Sequence, residues 1–348
     1  SSDLGAREGC IHEEPSIRGS ASTNFGDVCD SNERVCGGLR IDNGAWRQSA
    51  RSRERGGGNP SVRAIEVDTG PAGTFHALMA DVFPSAPDRL CGVVHLTPTP
   101  GSAGWGVLSA TERGAAARAL MIERAVADAR AYVAGGVGTV VVENFHDAPF
   151  DQAGVAPATV AAMALAVDAV SAVDGVLCVG VNVLRNDAAT ALGIAAATGA
   201  RFVRINVHTG AMVTDQGVIE GRAAETLRER ARLGLNDVRI YADVHVKHAT
   251  PFAGERLEDA ARDAALRGRA GGLVVSGAAT GSAPDVARVE TVRGAVGGSV
   301  PILLGSGLGV DNASRLMDAA DGAFVGTSVK FGGDVREAVD PERVAALV

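Results

Sequence analysis

Five short β-branched runs in this sequence end on charged or amide residues. His95 closes LCGVVH, and Glu143 with Asn144 closes TVVVEN. Asn182 and Arg185 end VNVLR, Arg204 and Asn206 end VRIN, and Asp243, His245 and Lys247 end ADVHVK. Side chains two apart on a strand share a face, which pairs Arg204 with Asn206 and aligns Asp243 with His245 and Lys247. A carboxylate opposite cationic and amide donors suits proton abstraction beside a carbonyl, or cleavage of a carbon–carbon or carbon–nitrogen bond, because the donors stabilise the oxyanion. Structural readings stand beside this one. Arg204 could form a buried ion pair, Asn182 could satisfy loop backbone, and Asp243, His245 and His248 could gather a divalent metal.

A second set of residues suits an anion. Gly305-Ser306-Gly307 follows the run ILL, and Gly326-Thr327-Ser328 follows AFV. Glycine lets backbone N–H groups approach a phosphate, and the hydroxyls add donors. Ser276-Gly277, with Thr280-Gly281-Ser282 beyond it, could supply further donors or a lid. The same residues also suit plain tight turns with helix caps.

The elements that must carry these residues alternate. Candidate strands are Cys91 to His95, Thr139 to Glu143, Leu177 to Val183, Phe202 to Asn206, Val238 to Asp243, Gly272 to Val275, Ile302 to Leu304 and Ala323 to Val325. Amphipathic stretches lie between them. In Met121 to Ala134 the pattern sets Ile122, Ala125, Val126 and Ala129 on one face, with Glu123, Arg124, Asp128 and Arg130 largely on the other. Repeated strand-then-helix units require a parallel sheet. The first strand runs into LTPTPGSAGWG rather than a GxGxxG turn, which disfavours an open dinucleotide-binding sheet. Eight units in this length predict a single-domain α/β (βα)8 TIM barrel. In that fold, residues at the C-terminal strand ends carry chemistry, and the loops after strands 7 and 8 hold phosphate.

Residues 1 to about 60 are rich in Ser, Gly, Arg, Asn and Asp without periodicity, the composition of a disordered segment. The chain opens on Ser1 and its first methionine is Met79, so the expected division is an extension at 1–78, non-native or read from a misassigned start, and the barrel at 79–348. A truncation beginning at Met79 is expected to fold. The 348 residues carry a net charge of −8 and no basic cluster interleaved with aromatics, which argues against nucleic acid as a partner. No apolar run is long enough for a membrane span, no signal-peptide pattern opens the chain, and a cytoplasmic location is expected. The oligomeric state is left open, a homo-oligomer included. Cys10, Cys29, Cys36, Cys91 and Cys178 form no CxxC or zinc spacing, and Cys91 and Cys178 read as reduced, buried small residues.

Several long motifs resemble one family. They are VVHLTPTPGS at 93–102, VVVENFHDAPF at 140–150, VGVNVLRNDA at 179–188, RINVHTGAMVTDQGVIEG at 204–221, ADVHVKHATPF at 242–252, VVSGAATGSAPD at 274–285 and LLGSGL at 303–308. Together they resemble the BtpA/SgcQ family over Met79 to Val348. The resemblance implies a ribulose-phosphate-binding-like barrel, and one family name reflects a proposed role in photosystem I biogenesis; it implies no particular reaction. Two departures stand out. Thr97 and Thr99 occupy LTPTPG where Leu-Pro-Pro-Leu-Pro-Gly is common, and His208 replaces a more usual aliphatic residue.

These residues together predict an isomerase or lyase acting on a phosphorylated sugar or nucleotide-like compound. Asp243 is the preferred acid/base and Glu143 the second, while Lys247 neutralises developing charge or forms a Schiff base. Arg185, Arg204, Asn182 and Asn206 orient the substrate, with His95, Asn144 and His245 at the same mouth. Asp215, in the TDQG loop, is a further acid or ribose ligand. No cofactor is required. The alternatives are a non-catalytic assembly factor and a metal-dependent hydrolase using Asp243 and His245.

Overall fold

The computed structural model describes residues 89–348 apart from 112, 113, 153 and 177. The expected extension at 1–78 and the Met79 boundary lie outside the described residues. In chain order the strands are β1 (Leu90–His95), β2 (Thr139–Glu143), β3 (Cys178–Asn182), β4 (Phe202–Ile205), β5 (Ala211–Thr214), β6 (Gly217–Glu220), β7 (Arg239–Asp243), β8 (Ala249–Pro251), β9 (Gly272–Val275), β10 (Ile302–Leu304) and β11 (Gly322–Val325). Strands β1, β2, β3, β4, β7, β9, β10 and β11 form a closed parallel barrel, the eight expected from the sequence. Strand ends differ from expectation by a residue or so.

Parallel strands between a filled interior and a ring of helices are buried on both faces, so they read as continuous apolar runs such as Val140 to Val142, which is wholly buried. The lower interior is filled by Cys91, Val93, Val141, Cys178, Phe202, Tyr241, Val274, Leu303 and Phe324. The Phe202 and Tyr241 rings meet edge to face at 5.4 Å. Gly180 makes room for this cluster, since a Cβ there would lie 2.1 Å from the Phe202 ring. Cys91 and Cys178 are free and buried, and burial pushes the Cys178 thiol up to about 11.

One helix closes the seam between β1 and β11. Tyr132, in the helix Gly114–Ala134, is fully buried; its hydroxyl accepts from the Val93 N–H at 3.1 Å and donates to the Val325 carbonyl at 2.9 Å. The ring occupies space that only Gly92 leaves open, because a Cβ at that position would sit 2.5 Å from it. Tyr132→Phe leaves a buried N–H unsatisfied, a loss of about 1–3 kcal/mol. Thermal denaturation is expected to show a fall of roughly 5 °C.

The same helix departs from the amphipathic pattern at Asp128, which periodicity sets on the polar face but which is buried. Its partners come from the end of the chain. Lys330 Nζ lies 3.3 Å from Asp128 Oδ2 and donates to the Glu337 carbonyl at 2.8 Å, while the Val339 N–H donates to Asp128 Oδ1 at 2.9 Å. Helical periodicity carries no information about partners 200 residues away, so this pair is invisible in the local pattern.

The sequence also gave no signal for a second, antiparallel sheet of order β6-β5-β8. β5 and β6 form a hairpin in the segment after β4, and β8, from the segment after β7, pairs with β5. Two βα connections are thereby joined outside the barrel.

Candidate functional site

Register assembles the mouth. His95 on β1 stands opposite Glu143 on β2, Glu143 opposite Asn182 on β3, and Asn182 opposite Arg204 on β4. All lie at the C-terminal strand ends, where this architecture exposes side chains to ligand.

The carboxylate of Asp243 is fully engaged. Arg204 donates to it through Nε at 3.0 Å and Nη2 at 2.8 Å, Asn206 Nδ2 at 2.9 Å and Ser276 Oγ at 3.4 Å. The two side chains of this ion pair are 2% and 0% exposed. Both carboxylate oxygens therefore face donors of the protein itself, in the fork geometry that favours arginine. The guanidinium also stacks over the Phe324 ring at 4.9 Å from its centroid.

Glu143 is differently placed. Asn182 Nδ2 donates to its Oε2 at 2.5 Å, and Oε1 has no hydrogen-bond partner among the described residues. Lys247 follows β7, and its ammonium has neither a hydrogen bond nor an ion pair there. Burial pushes its pKa below the usual lysine range, helped by the Arg204 charge and opposed by Glu143 and Asp243. A cation with a lowered pKa loses its charge, and its hold on an anion, as pH rises through that pKa. Anion affinity is expected to weaken on alkaline titration earlier than for an exposed lysine, and Lys247→Met should flatten that limb; phosphate titration calorimetry across pH measures both.

The mouth contains two cavities that share Glu143, Arg204, Lys247 and Thr280. The first, about 140 Å³, is walled by Gly305, Ser306, Gly307, Gly326, Thr327 and Ser328, together with His95. It holds both glycine turns singled out in the sequence. Ser306 Oγ donates to the Ser282 carbonyl at 2.9 Å, so the loop after β9 is tied to the turn after β10. A Cβ at Gly307 would lie 2.1 Å from the Ala283 nitrogen, and its φ of +75° also selects glycine. Burial pushes the His95 imidazole well below its ordinary pKa, which keeps it neutral, and its Nδ1 has no partner.

The second cavity, about 270 Å³, is lined by Phe145, His146, Phe150, Asn182, Arg185, Asn206 and His248, besides the shared residues. Phe145, His146 and Phe150 have no ligand role in the sequence reading, and His248 has only that of a possible metal ligand. The ring residues of FHDAPF, directly after Glu143, are the signal that points to the first three. His248 Nε2 lies 3.0 Å from Thr280 Oγ1 and accepts from the Thr280 N–H at 3.2 Å, joining the segments after β7 and β9 over the cleft.

Other expected site residues lie elsewhere. Asn144 is a structural knot: its Nδ2 donates to Asp147 Oδ2 and to the Leu184 carbonyl, and its Oδ1 accepts from the Leu184 N–H at 2.7 Å. Asp147 in turn accepts from the N–H and hydroxyl of Thr99, both at 2.7 Å, so one departure from the family loop has a hydrogen-bonding role. Ser276 turns to Asp243, and Gly277 packs against the Ser282 backbone; neither lines the two cavities of the mouth. His245 pairs with Glu255 at 3.0 Å, outside both cavities. Asp215 is exposed in the β5–β6 turn, bonded to Gln216. His208 is buried with Nε2 2.8 Å from the Gly268 carbonyl, which is loop packing. Asp243, His245 and His248 therefore have separate partners, and among the described residues no group of three acidic, His or Cys side chains could hold a metal.

A (βα)8 barrel with a two-cavity cleft at its C-terminal strand ends, and glycine turns after its seventh and eighth strands, is the class this chain represents. It belongs to the BtpA family, whose profile matches residues 87–348. It is 48% identical over 258 residues to the photosystem I biogenesis protein BtpA of Synechocystis sp., covering 74% of this chain and 85% of that protein. An uncharacterized protein of Pyrococcus furiosus is 41% identical, with 74% and 93% covered, and an uncharacterized mitochondrial protein of Caenorhabditis elegans is 29% identical, with 74% and 90% covered. Solved structures of similar shape include a native KDPGal structure (14% identity, TM-score 0.45, 76% and 94% covered) and the phosphoribosyl anthranilate isomerase of Thermus thermophilus (13% identity, TM-score 0.44, 74% and 96% covered). No helix among the described residues is long and apolar enough to cross a membrane.

Proposed function

We propose that this chain is an enzyme acting on a phosphorylated sugar or nucleotide-like small molecule, an isomerase or lyase working by acid/base proton transfer. The observation that carries this reading is the junction of the two cavities, where a half-buried, unpartnered ammonium and a carboxylate with one uncommitted oxygen border the same space. Phosphate occupies the glycine-walled cavity, and the rest of the molecule passes Lys247 and Glu143 into the larger one. Glu143 takes the proton from carbon beside a carbonyl; the electron pair moves onto the carbonyl oxygen, and the Lys247 ammonium stabilises the resulting enediolate. The substrate's own hydroxyl proton passes to the former carbonyl oxygen, that hydroxyl carbon becomes the new carbonyl, and Glu143 returns the carbon-bound proton to the former carbonyl carbon, which gives the isomer.

This assigns the two carboxylates in the reverse of the order expected from sequence. Asp243, whose oxygens already accept from Arg204, Asn206 and Ser276, becomes a positioning residue that holds the Arg204 guanidinium in the cleft. The metal-hydrolase alternative lacks support in the separate partners of Asp243 and His245. The assembly-factor alternative draws on the name of the Synechocystis relative, a photosystem I biogenesis protein.

A thermal-shift screen of phosphosugars and nucleotides, with and without chelator, separates the three. Phosphate-dependent stabilisation of the wild type, reduced in Lys247→Met and unaffected by chelator, is the expected result. No phosphate-dependent shift would favour the assembly factor, and chelator-sensitive shifts the hydrolase.

A further inference from the structure

We infer that the ligand of this cleft carries a second anionic group, seated against Arg185 at the end remote from the glycine turns. This rests on the phosphate reading of the smaller cavity and extends it. Three cations are buried to below a tenth of full exposure among the described residues: Arg185 at 4%, Arg204 at 3% and Lys330 at 2%. Two of them face carboxylates, Arg204 with Asp243 and Lys330 with Asp128. Arg185 has none. Its Nη2 donates to the Lys247 carbonyl at 2.7 Å, its Nε is buried without a partner, and no carboxylate lies within ion-pair distance. A guanidinium stays charged at any physiological pH, so it cannot escape burial by losing its proton. An ionised group held out of water without a counter-charge is strongly unfavourable, and buried charges accordingly have partners.

The place of Arg185 says what that partner is. It lines the larger cavity beside Asn182, Phe145 and Phe150, with Lys247 between it and the glycine turns. Asp243, Asp215 and Glu143 act on it only through space. Its position is fixed from behind, because Asn144 grips both the N–H and the carbonyl of Leu184, the preceding residue. A rigidly mounted, uncompensated guanidinium facing a cavity is a receptor for a planar or tetrahedral anion. The cleft thus has two anion positions flanking the acid/base pair. The substrate class that fits is a short polar carbon chain with phosphate at one end and a second phosphate or a carboxylate at the other.

Calorimetric titration of the full chain with ribulose 5-phosphate, ribulose 1,5-bisphosphate and 6-phosphogluconate tests this. The expected result is that at least one doubly anionic compound binds wild type about tenfold or more tighter than ribulose 5-phosphate, the effect of one charge-assisted contact. Arg185→Met should erase that advantage, so that the doubly anionic compounds bind the variant no tighter than ribulose 5-phosphate binds the same variant, and Arg185→Lys should keep part of it. A preference for only the bisphosphate or only the carboxylate identifies the group. Equal affinity for all three in wild type overturns the second anion and leaves the phosphate cavity standing. An advantage that survives in Arg185→Met overturns its location. Failure of every compound to bind overturns both readings. The wild-type comparison decides the matter even if Arg185→Met does not fold.

Discussion

Asp243→Asn is expected to destabilise the protein by about 3–5 kcal/mol, because it leaves the Arg204 guanidinium buried without a counter-charge. The pair sits inside the barrel mouth with side chains 2% and 0% exposed, so water cannot take the place of the carboxylate. For a domain of this size the loss corresponds to a fall in Tm of about 10 °C. A double variant, Arg204→Met with Asp243→Asn, should recover much of it, since neither site then holds an uncompensated ion. Urea denaturation of the two variants measures the recovery. An unchanged denaturation midpoint in Asp243→Asn would overturn the structural role of the carboxylate.

Glu143→Gln is expected to do the opposite. The amide is isosteric, and its oxygen still accepts from Asn182, so the strand-end register of Glu143 with Asn182 is preserved. What disappears is the basic oxygen facing the cleft. On a substrate found by the screen, kcat should fall by about 10²–10⁴-fold, the usual contribution of a positioned acid/base. KM should move little, because phosphate is gripped by other residues. Exchange of the substrate's carbon-bound proton with solvent should stop together with turnover. Exchange at the wild-type rate in Glu143→Gln would remove Glu143 from the reaction and return attention to Lys247.

What could be read from sequence here divides along physical lines. The barrel strands are short, β-branched and regularly spaced, and a parallel sheet buried on both faces leaves that trace in residues such as Thr139 to Glu143. The polar strand ends could be read because chain geometry alone decides that Glu143 and Arg204 reach the mouth. Whether a side chain there is already satisfied depends on partners distant in sequence, and Arg204 meets Asp243 across 39 residues. For the same reason Asn144, adjacent to Glu143, was indistinguishable from a ligand-facing residue, although its amide holds Leu184. The β5, β6 and β8 strands are three or four residues long and lie within connections, too short for an alternating pattern to stand out.

That small sheet also sets how this cleft can change. Lys247 lies on a span of only five residues, 244 to 248, anchored at one end in the barrel by β7 and at the other by β8 against β5. A substitution on the outer sheet, at Val213 or Thr250 for instance, can thus tilt the span that carries the ammonium without touching the cleft wall. Selection for altered ligand preference should therefore recover changes in β5, β6 and β8 alongside changes in the lining, with the hairpin setting the position of the Lys247 ammonium through the backbone.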